Sequence, residues 1–173
     1  MKPLTMPAKF CIMIFMELKN MNIVLHEPEI PHNTGAVGRT CLLTGARLHL
    51  IHPLGFFLDE KSLKRSGLDY WHKISVTEYE NFDDFLRRNP CARLFFVETG
   101  GSKRYDQVVY DKDDFFVFGR ETKGLPPSIL ERYPDQIITI PMKSDGRSLN
   151  LSVTVGIILY EALRQTGFGG LCL

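Results

Sequence analysis

The chain of 173 residues contains no apolar run near the ~20 residues a membrane span needs, so a soluble, cytoplasmic protein with no membrane partner is expected. Charge of one sign is also missing. Lys and Arg total 21 against 20 Asp and Glu, a formal charge of +1, so no global basic field announces a nucleic-acid partner and any RNA contact must come from a local patch. Cysteine is sparse: Cys11, Cys41, Cys91 and Cys172 are scattered and form no CxxC pair, which argues against a disulfide framework or a zinc site. The five histidines lack the i, i+4 pairing beside a carboxylate that a helix-borne metal site uses, and no metal is expected. GxGxxG is absent as well, which leaves a nucleotide-dependent oxidoreductase without its phosphate fingerprint. Neither an internal repeat nor a low-complexity segment is present.

What the chain does have is alternation. Apolar runs that read as strands fall at Ile23 to His26, Leu48 to Ile51, Leu94 to Val97, Phe115 to Phe118 and Ile137 to Ile140. Helical patterns lie between most of them, at Thr34 to Thr44, at Phe82 to Arg88 and in a short helix that Pro126-Pro127-Ser128 opens with proline in its first turn. Strands alternating with helices predict an α/β fold, a mainly parallel sheet with helices on both faces, and the length suits one domain. Residues 1–20 read as an extension outside the core, residues 21–168 as the domain and 169–173 as a tail. The last helix, Ser152 to Gln165, is apolar on nearly every side. Its own sheet can cover one face; a second copy of the chain, giving a symmetric homodimer, is expected on the other.

Local charge is uneven. Residues 61–73 carry Lys61, Lys64, Arg65 and Lys73 against Asp69 alone, either a solvated surface or an RNA-binding patch. Glu78, Glu80, Asp83 and Asp84 follow without a base and read as the acidic first turns of a helix.

Three blocks carry the chemistry, each placed where a strand ends, which is where α/β sheets bind ligands. After the first strand comes Glu27-Pro28-Glu29-Ile30-Pro31-His32-Asn33-Thr34-Gly35, then Gly38-Arg39. Asn33 and Thr34 are natural helix N-caps. Arg39 would sit in the first turns of that helix, where the dipole disfavours a cation, so it calls for an anionic partner: an RNA phosphate, or a carboxylate such as Glu27. In the second block, Phe118-Gly119-Arg120-Glu121-Thr122-Lys123-Gly124-Leu125-Pro126, Gly119 and Gly124 suit a tight turn offering backbone groups to a ligand, and Glu121 can anchor it by accepting backbone N–H bonds. In the third, Ile140-Pro141-Met142 runs to Ser148-Leu149-Asn150-Leu151-Ser152, where Ser148 and Asn150 read as turn and cap residues and Ser152 as the cap of the last helix.

In order and spacing these blocks resemble the three motifs of the SPOUT RNA 2′-O-ribose methyltransferases. Glu27-Pro28-Glu29-Ile30-Pro31, Gly67-Leu68-Asp69-Tyr70 and Tyr160-Glu161-Ala162-Leu163-Arg164-Gln165 are similar to the small single-domain members that methylate the wobble nucleotide of leucine tRNAs. The resemblance implies a C-terminal deep trefoil knot, one of the few exceptions to unknotted topology. It also implies S-adenosylmethionine as cofactor, tRNA as substrate and a homodimer whose active site lies where two knots meet. By position, Val97, Thr99, Gly119, Ile140, Met142, Ser148 and Leu149 would line the cofactor site together with the Glu121 and Gly124 turn. Arg39 would be the catalytic arginine, Asn33 a substrate-side partner and Tyr160 an interface residue.

No His, Cys or carboxylate within the blocks has an evident claim to be the base for a ribose hydroxyl. A guanidinium with pKa above ~12 is a poor one. Arg39 is therefore expected to bind a neighbouring phosphate and to stabilise alkoxide charge, the proton passing to phosphate or water. Two rival readings are a SPOUT methyltransferase acting on another tRNA or rRNA nucleotide and a non-catalytic RNA-binding knot dimer.

Overall fold

A computed structural model describes residues 20–58, 70–143 and 148–172. The N-terminal extension up to residue 19 and most of the basic patch, residues 61–69, lie outside the described residues. The chain runs β1 (Asn22–His26), α1 (Pro31–Thr44), β2 (Arg47–Ile51), β3 (Val76–Tyr79), α2 (Phe82–Arg88), β4 (Leu94–Val97), β5 (Lys103–Arg104), β6 (Phe115–Phe118), α3 (Pro127–Leu130), β7 (Ile137–Thr139) and α4 (Leu151–Gln165). All strand pairs are parallel, in the order β3-β2-β1-β6-β4-β7-β5.

Period-two alternation divides the sheet's side chains between two cores. Ile23, Leu25, Leu48, Leu50, Phe116 and Phe118 face α1 and α4, which contribute Val37, Cys41, Val155, Ile158 and Leu159. Val24, Phe96 and Val117 point the other way, onto Phe82 and Phe85 of α2 and Ile129 of α3. Helices thus cover both faces, as the alternation of elements predicts. Because β2 and β3 extend the sheet on one side of β1 while β6, β4, β7 and β5 lie on the other, the order reverses beside the β1–β6 pair. Ligands of open α/β sheets bind outside the strand ends at such a reversal.

Several local expectations need correction. β3 is missed because Val76-Thr77-Glu78-Tyr79 is half polar, and it places Glu78 in a strand; only Asp83 and Asp84 occupy the first turn of α2, which Asn81 caps by accepting from the Asp84 N–H at 2.9 Å. β5 is two exposed basic residues with no apolar signature. Helix α1 begins at Pro31, three residues before the expected start, so Asn33 and Thr34 are buried within its first turn instead of capping it. Arg39 consequently lies in the third turn, where the dipole conflict has faded. Asn150, not Ser152, caps α4, accepting from the Ser152 N–H at 2.9 Å. Along α4 itself, Leu151, Val155, Ile158, Leu159, Ala162 and Leu163 are buried, while Val153 and Tyr160 are each about half exposed.

Candidate functional site

The carboxyl ends of β4, β6 and β7, with the first turn of α4 and the start of α1, enclose a cavity of about 480 Å³. That is within the ~300–1,000 Å³ typical of small-molecule sites. Val97 and Thr99 reach it from the end of β4, and Gly119, Glu121 and Gly124 from the turn after β6. Ile140, Met142, Ser148 and Leu149 reach it from the segment between β7 and α4, and Asn33 from α1. Three sequence blocks tens of residues apart therefore meet at one cavity. Met142, Leu149 and Ile30 on its wall keep 41%, 39% and 43% of their surface exposed, an apolar lining suited to a flat, uncharged ring.

A continuous chain of side-chain hydrogen bonds ties the blocks together. Glu121 accepts from the backbone N–H of Glu29 at 2.8 Å and of Ile30 at 3.2 Å, and from Asn33 Nδ2 at 3.0 Å. Its carboxylate thus does at the N-terminus of α1 what no capping side chain of that helix does, where the dipole favours negative charge. Asn33 Oδ1 in turn accepts from Asn150 Nδ2 at 2.9 Å, and Asn150 caps α4. Glu29 closes the arrangement from the other side by accepting from Thr122 N at 3.0 Å and Thr122 Oγ1 at 2.7 Å.

Glycine is obligatory at two points of the turn. A Cβ on Gly119 would stand 2.1 Å from the Gly124 carbonyl carbon and 2.3 Å from Leu125 N, both backbone atoms that cannot swing away. Gly124 has φ +66, and a Cβ there would meet Glu98 Oε2 at 2.5 Å. Glu98 is a lining residue that the sequence reading misses. It accepts from Leu125 N at 2.9 Å and from Thr99 N at 2.9 Å, stapling the end of β4 to the turn after β6. Its one visible signal is a lone acid directly after a fully buried strand.

Arg39 does not line the cavity. It is exposed, its guanidinium carbon 4.9 Å from the centroid of the Tyr70 ring, whose hydroxyl donates to the Gly35 carbonyl at 3.0 Å. The carboxylate considered for it, Glu27, is instead ion-paired with Arg120. Close approach at Gly38 is to side chains: a Cβ there would meet Ile74 Cδ1 at 2.8 Å and Trp71 Cζ3 at 3.0 Å. Of the basic residues on and near the cavity wall, Arg104 is paired with Asp106, and Lys103 donates to the Asp135 carbonyl. Lys123 on the cavity wall is exposed.

Two histidines are buried in the sheet, His26 at the end of β1 and His49 in the middle of β2. Burial, and then the charge of Arg120, lower the His26 pKa to about 4. His49, held between Tyr79 Oη at 2.9 Å and Asn22 Oδ1 at 3.1 Å, is lowered to about 4 by burial and by Arg47 and Arg88. Both are neutral at physiological pH, and neither lines the cavity.

Residues 20–160 match the model of the SpoU rRNA Methylase family. A tRNA (cytidine(34)-2′-O)-methyltransferase from Escherichia coli strain K12 is 48% identical over 154 residues, 88% of this chain and 98% of that protein. Among solved structures, one concerned with the 2-OH methylation of C/U34 on tRNA superimposes with a TM-score of 0.80 at 41% identity, covering 86% of this chain and 97% of that one. An AdoMet-bound rRNA methyltransferase from Sinorhizobium meliloti gives a TM-score of 0.71 at 27% identity, covering 84% of this chain and 56% of that one.

Proposed function

The chain belongs to the SpoU rRNA Methylase family, and from that premise we propose that it methylates the ribose 2′-hydroxyl of the wobble nucleotide, position 34, of tRNA, using S-adenosylmethionine. The observation that carries this reading is the convergence of the three blocks on one cavity, in a chain 48% identical over 154 residues to the E. coli tRNA (cytidine(34)-2′-O)-methyltransferase. Leucine tRNAs are the proposed substrates, and the cytoplasm is the proposed compartment. In this reading the C-terminal segment threads through a loop, forming the knot, and Ile140, Met142, Ser148 and Leu149 line the cofactor site.

The lining fits such a cofactor. Apolar Met142, Leu149 and Ile30 offer area to an adenine, and the glycine turn offers backbone groups to its polar edges. When bound, S-adenosylmethionine supplies an electrophilic methyl group on a sulfonium and leaves as S-adenosylhomocysteine. Val97, Thr99, Gly119 and Gly124 shape its seat, and Glu98 and Glu121 hold the seat rigid through the N–H bonds described above. Rigid alignment matters because the ribose oxygen must attack in line, a geometric demand that can contribute much of the rate. Asn33, fixed between Glu121 and Asn150, faces the substrate side.

Arg39 binds the phosphate next to the reacting ribose and stabilises charge on its oxygen, while the hydroxyl proton passes to phosphate or water. Since Arg39 stands off the cavity of its own protomer, the reading requires a homodimer. The half-exposed Val153 and Tyr160 of α4 are the apolar surface proposed for that contact. The test is incubation of purified protein with leucine tRNA and methyl-deuterated S-adenosylmethionine, followed by nuclease mapping and mass spectrometry. A deuterated ribose methyl at nucleotide 34 supports the reading; a methyl on another nucleotide, or on a base, overturns it.

A further inference from the structure

Phe57 is 83% exposed, more than any other large apolar side chain among the described residues. A lone exposed apolar residue is ordinary. The loop that carries this one is not. Leu54 and Leu58 on either side pack against the α1/α4 core. Between them, Gly55 donates its N–H to the Pro28 carbonyl at 2.9 Å and lies so close to Glu29 that a Cβ would stand 2.7 Å from its Cα. Glu29 is in turn bonded to Thr122 and, through its own N–H, to Glu121, both on the cavity wall. Phe57 is two residues past Gly55, so its Cα is within ~7 Å of that anchor. An aromatic ring is thus held in solvent on a loop fastened, through Glu29, to the rim of the candidate active site.

We propose that Phe57 is a stacking platform for an unpaired base next to the nucleotide being methylated, and so a substrate-binding residue for RNA. This rests on the function proposed above. For a ribose hydroxyl to enter the cavity its nucleotide must leave the stack, and the neighbouring base then loses a partner that an aromatic ring can replace. Charge in the sequence beyond the loop suits RNA: past the acids Asp59 and Glu60, residues 61–73 carry Lys61, Lys64, Arg65 and Lys73 against Asp69 alone.

The test measures tRNA Kd, S-adenosylmethionine Kd and solution mass for the wild type and for Phe57→Ala, Phe57→Leu and Phe57→Trp. Because the ring is in solvent, all three should fold. Phe57→Ala is expected to weaken tRNA binding about tenfold, equivalent to 1.4 kcal/mol, with cofactor affinity and mass unchanged. Phe57→Trp should restore tRNA binding and Phe57→Leu should not, since only a ring stacks. Wild-type methylation of tRNA with an unaltered Kd for Phe57→Ala overturns this inference alone, as does full rescue by leucine. A drop to monomer mass in Phe57→Ala assigns the ring to a second copy of the chain and also overturns it. Wild-type protein that does not methylate tRNA overturns the parent reading and this one with it.

Discussion

Replacing Glu121 with alanine removes one carboxylate from three donors belonging to two elements: Glu29 N–H, Ile30 N–H and Asn33 Nδ2. Hydrogen bonds to a charged group contribute roughly 1.5–3 kcal/mol each, less where water can replace the acceptor. The bond to the Ile30 N–H is exposed and counts for little, so the two part-buried bonds set the cost at about 3 kcal/mol. For a chain of this size that corresponds to a fall in Tm of about 6–12 °C. Cofactor affinity should fall with it, because Asn33 then loses one of the two groups that orient it and the turn after β6 loses its tie to the start of α1. Glu121→Gln keeps one acceptor oxygen but turns a second N–H donor toward groups that themselves donate, so it should recover only part of the loss. Thermal melts and titration calorimetry with S-adenosylmethionine measure both effects. A Glu121→Ala protein that melts with the wild type and binds the cofactor equally well would refute the claim that this carboxylate locks the blocks together.

Arg39→Ala should reduce methyl transfer by about 100-fold or more with little change in Tm, and Arg39→Lys should fail nearly as badly, because a point charge does not reproduce the planar fork. Single-turnover rates decide this; near-normal turnover in the lysine variant contradicts the assigned role. Gly119→Ala drives a methyl group into backbone atoms 2.1–2.5 Å away, so the turn must open, and calorimetry should show cofactor affinity at least about tenfold weaker. His26 and His49 have folded-state pKa values of about 4, below the unfolded 6.5. Their contribution to stability is therefore complete above pH 6.5 and is lost as pH falls toward 4, by an order of 3 kcal/mol each. Urea midpoints between pH 7 and pH 4 test the sum, and imidazole resonances of either histidine titrating near 6.5 would contradict it.

Four of the five strands readable in the sequence are buried almost throughout, such as Leu94-Phe95-Phe96-Val97, because uninterrupted apolar runs leave little ambiguity. β3 and β5 escaped because edge strands need no apolar run and take their definition from a neighbour. Gly119, Gly124 and Glu121 could be placed at the site because their residue types are demanded by local geometry: a close backbone approach, a positive φ and a set of orphan N–H groups. Glu98 and the pairing of Glu27 with Arg120 depend on which strand ends are neighbours, and strand order is a tertiary fact no local pattern contains. The same limit explains the caps. Asn33, Asn150 and Ser152 all favour helix starts, and tertiary hydrogen bonds decided that Asn150 caps α4 while Asn33 bridges.

The most direct test of the account is a crystal structure of the protein soaked in S-adenosylmethionine. Density for the cofactor is predicted between the turn at residues 119–124 and the segment at 140–149, against Val97 and Thr99. Cofactor bound at any other place on the molecule, with these two segments left bare, would contradict the claim that the three blocks form its seat.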